Sequence, residues 1–222
     1  MATNSKIIDL RNLLAERFPH ASLSASTPLV TGLPFLDKPL GGGLPKSTIT
    51  ELSSSQWSAG SASLVAALLQ TACRDRYFIA LVDGRDSFDP GPLGNATLRH
   101  LLWVRCEQAS QAIKSADLLL RDGNFPLLIL DLILNPAEEL RRIPQANWYR
   151  LQRLVEPAPT AFLVLTRRSM ISSAQWKLVL ENSWKLSHLE RESTELHREV
   201  HIRVQRVQGG HEMVDLEIAR AS

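Results

Sequence analysis

Chemistry would be concentrated at Gly60-Ser61-Ala62, which close a loop of small residues between a β-like run ending at Leu52 and an apolar helical stretch reaching Leu69. Strand, loop and helix in that order aim backbone N–H groups and a helix N-terminus at an anion. Phosphate transfer asks for the pattern G-x-x-x-x-G-K-[ST], whose glycines permit close approach, whose lysine neutralises phosphate charge and whose hydroxyl holds magnesium. Only Gly60 stands in a fitting place. Ser61 takes the lysine position, Ala62 takes the hydroxyl position, and no glycine opens the loop. Serines 53, 54, 55, 58, 61 and 63 keep weak anion or nucleotide binding open through backbone N–H groups, while hydrolysis lacks its charge clamp.

Two further groups of residues carry chemical interest. Asp131 ends the apolar run Leu127–Asp131 and reads either as a strand-end carboxylate tying down a loop or as a metal ligand. Between residues 141 and 177, Arg141, Arg142, Arg150, Arg153, Arg167, Arg168 and Lys177 face a single acid, Glu156, with Trp148, Tyr149 and Trp176 interleaved. Arginines with aromatics suit single-stranded DNA, by phosphate contact and stacking, and equally suit a protein interface. A solvated helix face remains the third reading. His197-x-Glu199-x-His201 departs from the H-E-x-x-H zinc pattern and lies in a period-two segment, so no metal is expected. Cys73 and Cys106, without metal-ligand spacing, read as buried small apolar residues.

The elements that must position these groups alternate between strand and helix. Strands are expected at Thr48–Leu52, Phe78–Val82, Leu101–Cys106, Leu127–Asp131 and Ala161–Thr166, and helices after Gly60, over Glu107–Arg121 and over Pro144–Val155. Ahead of them, Ile7, Leu10, Leu14 and Phe18 stripe a short helix that Pro19 ends, and His20–Pro28 reads as a linker. Near the C-terminus Val200, Ile202 and Val204 alternate with polar residues, Gln208–His211 make a turn, and Val214, Leu216 and Ile218 alternate again, which predicts a β-hairpin over about 199–219. Residues 1–28 are thus an arm and linker, and 29–222 one α/β domain. With 222 residues, a net charge of +2 and 44% hydrophobic content, the chain is of ordinary soluble composition; no run approaches a bilayer span and the N-terminus lacks a signal-peptide core, which predicts a cytoplasmic location.

A resemblance accompanies these patterns. The entry Thr31-Gly32…Leu36-Asp37…Leu40-Gly41-Gly42-Gly43-Leu44-Pro45, the loop and helix, the Val82-Asp83…Asp89-Pro90 strand and the LLILD strand are together similar to the RecA superfamily from about Thr31 to Thr166. Within it the chain most resembles ImuA-type proteins of bacterial inducible-mutagenesis cassettes. The resemblance implies a mostly parallel RecA-like sheet flanked by helices. It places the second-motif aspartate at Asp131, the water-activating glutamate at Arg85, and DNA-facing loops at Arg141-Arg142 and Arg167-Arg168. Arg85 cannot accept a proton, so a non-catalytic protein without cofactor is expected. The implied function is accessory to DNA-damage-induced translesion synthesis, with a translesion or replicative polymerase component, RecA or single-stranded DNA as partner. An ATP-dependent recombinase or nucleotide switch, and a RecA-like inhibitor of cell division, are the alternatives.

Overall fold

Residues 27–54, 56, 60–182 and 200–207 are described by the computed structural model of the chain. In chain order they form α1 (Pro34–Asp37), β1 (Thr48–Ser53), α2 (Ser61–Asp75), β2 (Ile79–Asp83), α3 (Asn95–Leu98), β3 (Leu101–Arg105), α4 (Ala109–Asp122), β4 (Leu127–Asp131), α5 (Ala137–Arg141), α6 (Gln145–Val155), β5 (Ala161–Thr166), β6 (Trp176–Leu180) and β7 (Ile202–Val207). The strands make one seven-stranded sheet in the order β3-β2-β4-β5-β1-β6-β7. All neighbours are parallel except β6 and β7. The expected α/β class, a mostly parallel sheet between helices, is the class observed, and its architecture is consistent with the expected RecA-like fold.

The continuous apolar runs in β2, β4 and β5 reflect burial on both faces, as parallel sheets require, and β1 is buried throughout although only Ile49 and Leu52 of its six residues are apolar. Successive residues serve opposite layers. Leu52, Ile79, Leu81, Ile129, Leu163 and Leu178 pack with Leu64 and Leu68 of α2. Ile49, Val82, Leu128, Leu130 and Phe162 pack with Ile113 and Leu120 of α4 and with Trp148 and Leu151 of α6. The glycine-rich entry joins the first layer. Asp37 accepts from the Thr31 N–H, the Thr31 hydroxyl and the Gly32 N–H at 3.1, 2.6 and 2.9 Å, and Leu29 bridges Leu44. Gly43, at φ +152°, lies so close to this bridge that a Cβ would meet the Leu29 carbonyl.

Two sequence expectations change. Trp176–Leu180 is a strand, β6, in which Trp176 is half-buried; its mixed polar and apolar start hid the pattern. The alternation near Val200 does form a strand, β7, which pairs antiparallel with β6 across a register shift at Lys177/Leu178. The expected turn at 208–211, the arm at 214–218 and the N-terminal helix with its linker to residue 26 lie outside the described residues. Among the described residues no helix is long and apolar enough to cross a membrane.

Candidate functional site

The C-terminal ends of β1, β2, β4 and β5 meet at one edge of the sheet, where parallel α/β sheets carry their sites. At the end of β1, the Ser54 N–H donates to the Thr166 carbonyl at 2.9 Å, and Gly60, in left-handed backbone at φ +92°, starts α2 without any side-chain cap. Ser61 is the first helical residue and Ala62 the second. The strand-to-helix joint thus has the expected geometry at both of its ends.

Asp83 and Asp131 are in-register partners on β2 and β4, so their Cα atoms lie ~4.8 Å apart. Each stands two positions after a residue of the layer that packs with α2, Leu81 and Ile129, and so faces that side. Their surroundings differ. Asp83 accepts from the N–H groups of Arg85, Ser87 and Phe88, from the Ser87 hydroxyl and from the Trp103 indole, and so ties down the loop after β2. Among the described residues Asp131 accepts from the Ile133 N–H alone, at 3.0 Å. Burial pushes the Asp131 carboxyl up to about 6; the Ile133 hydrogen bond opposes this and the neighbouring Asp83 charge adds to it. The strand-end role expected as one reading of Asp131 is therefore filled more fully by Asp83.

Arg85 leaves this edge. Its guanidinium donates to the Glu107 carbonyl at 2.7 Å and sits 3.5 Å from Glu139. The Glu139 carboxyl also accepts from the Ala109 N–H and the Asn135 amide, and Ala109, Asn135, Arg85 and Arg142, in that order, hold it below the usual carboxylate range. Arg85 is a strut between the loop after β2 and α5.

A buried carboxylate that the sequence reading passed over organises the opposite side of β1. Glu51 is fully buried. It accepts from the Met170 and Ile171 N–H groups at 2.7 and 3.2 Å, from the Thr166 and Ser169 hydroxyls at 3.4 and 3.0 Å, and pairs with Lys177 at 3.3 Å. Residues 167–175 cross from β5 over β1 to β6 without a helix, which leaves their N–H groups without ladder partners, and Glu51 supplies an acceptor. The signal for it was a lone acid between Thr50 and Leu52 in a strand of otherwise uncharged residues.

The arginine and aromatic candidates separate. Trp148 is fully buried in the layer between α6 and the sheet, so the expectation that it stacks on DNA or a partner is corrected; a helical stripe of Trp148, Leu151 and Val155 is core. Trp176 packs its ring on the α2 layer, across the sheet from Ile171 and Ala174 of the crossover. Lys177 and Arg150 are committed to Glu51 and Asp117. Arg141, Arg142 and Arg168 are exposed, and Arg167 is half-buried. The Ser172 hydroxyl donates to Gln145 at the start of α6, which brings the crossover carrying Arg167-Arg168 against the helix that follows Arg141-Arg142. Among the described residues no three His, Cys, Asp or Glu side chains gather as a metal site, and His197 and Glu199 lie outside them.

No protein-family model matches the chain, and no curated protein matches it significantly.

Proposed function

We propose that this protein is a non-catalytic, RecA-like accessory factor for DNA-damage-induced translesion synthesis, acting in the bacterial cytoplasm. It works through contacts with polymerase components or RecA and with single-stranded DNA. The observation that carries the reading is Arg85: the position that a RecA-like frame gives to the water-activating glutamate holds a cation engaged by Glu107 and Glu139. Ser61 and Ala62 leave the lysine and hydroxyl duties unfilled as well. The exposed Arg141, Arg142 and Arg168 on adjoining segments support the contact surface. The test is mutation frequency after DNA damage in cells with and without the chain, paired with pull-down from damaged cells. Loss of damage-induced mutation and recovery of polymerase components are expected. Unchanged mutation frequency, or recovery of a division protein in place of a polymerase, removes the reading.

A further inference from the structure

The helices α4 and α6, with α5 at one end, leave a groove of about 550 Å³ on the face of the protein away from α2. That volume is within the ~300–1,000 Å³ of pockets that enclose a ligand. Its floor is aliphatic: Ile113, Ile143 and Leu151 are buried there. Leu118 stands on its rim with 67% of its surface exposed, the most of any large apolar side chain among the described residues. The reason is positional. The core stripe of α4 is Ile113, Ala116 and Leu120, and Leu118 falls off it, so it serves no contact within the layer.

The charge of the walls is one-sided. Lys114 and Arg142 line the groove with no side-chain hydrogen bond or ion pair among the described residues, although the Arg142 charge stands near enough to Glu139 to help hold that carboxyl low. The two carboxylates that line it are already answered: Asp117 by Arg121 and Arg150, and Glu139 by Arg85. Three cations, Lys114, Arg142 and Arg150, therefore line the groove with two acids, each of which is already paired with an arginine. No aromatic residue lines the groove, so it offers no stacking platform for bases, and its aliphatic floor has nothing to offer a phosphate backbone.

We propose that this groove binds an acidic amphipathic helix of a partner protein. Apolar residues spaced i, i+3 or i+4 and i+7 would cover Ile113, Leu118, Ile143 and Leu151, and flanking glutamates or aspartates would meet Lys114 and Arg142. The inference rests on the reading of the chain as a contact-making protein and gives the chemistry of what it contacts.

The experiment is fluorescence anisotropy of the full chain with a labelled synthetic 18-residue helix carrying leucine at those spacings and glutamate beside them. A probe with lysine in place of every glutamate is the comparison. The acidic probe is expected to bind at least tenfold more tightly than the basic one. Leu118→Glu should weaken it at least tenfold, and the double variant Lys114→Glu, Arg142→Glu should reverse the preference between probes. All three positions are on the surface, and far-ultraviolet circular dichroism verifies their folding. Equal affinity for both probes, or acidic-probe binding that survives Leu118→Glu, overturns the proposal. An oligothymidine whose binding is lost in Leu118→Glu overturns it in favour of nucleic acid, and self-association lost in that variant overturns it in favour of a second copy of the chain. Because no DNA-damage component is present in the assay, the groove and the translesion reading fail separately.

Discussion

Glu51 of β1 and Lys177 of β6 are cross-strand partners whose charged groups lie 3.3 Å apart, the carboxylate with no exposed surface and the lysine side chain 13% exposed. Breaking one side of such a pair strands the other charge in a poorly solvated site, at about 3–5 kcal/mol. Glu51→Ala also strips the Met170 and Ile171 N–H groups of their acceptor, so it should fall in the upper part of that range. Lys177→Met leaves Glu51 with its remaining donors and should cost less. Urea unfolding of both variants checks the order, and an equal loss would show that the crossover hydrogen bonds contribute little.

Asp131 makes stability depend on pH in an unusual direction. Its carboxyl holds a proton in the folded protein up to about pH 6, against 3.8 for the free side chain, so the folded state binds more protons in between. Stability from this residue is therefore present below about pH 4 and is lost as pH rises through 6. Asp131→Asn, which keeps an acceptor for the Ile133 N–H, should match the parent near pH 4 and exceed it at pH 7.5 by on the order of 3 kcal/mol. Denaturation at the two pH values measures this; a constant difference contradicts it.

Trp148 is core. Trp148→Ala should cost about 3–5 kcal/mol by removing a large buried ring, and more modest replacement by Phe should cost less. The emission lost on Trp148→Phe, which removes one of five tryptophans in the chain, should be the blue-shifted emission of a buried indole, and added oligonucleotide should not change that difference.

Arg85→Glu places a carboxylate beside Glu139, where 3.5 Å now separates opposite charges. At this half-exposed position the loss should be no more than about 1 kcal/mol. Phosphate release from ATP should stay at background before and after the change, since Ser61 and Ala62 still cannot serve the phosphates or magnesium. Turnover in either form would overturn the non-catalytic reading.

Single-stranded DNA binding, if it uses the crossover, should weaken steeply with salt, and Arg168→Ala should lower the slope of log affinity against log salt by ~0.7, one phosphate contact on a single strand. Trp176→Phe, whose ring packs on the opposite side of the sheet, should leave that slope unchanged. Electrophoretic or anisotropy titrations at several salt concentrations decide it.

Much of this protein is determined locally and is legible in its residue order. The apolar runs ending at Asp83, Asp131 and Thr166 can only be buried strands, the small-residue loop before Ser61 must open a helix, and the missing lysine is visible without coordinates. The same order misassigned Trp148, because an aromatic among arginines on a 3.6-residue period looks alike whether its ring faces water or core. It also concealed Glu51, whose carboxylate takes its hydrogen-bond donors from residues more than a hundred positions away. Which face each side chain takes, whether Arg85 turns to Glu139 or to the strand edge, and that α4 and α6 leave Leu118 uncovered were decided by tertiary structure alone. Periodicity encodes that a residue is on a face; only packing of distant segments decides what that face meets.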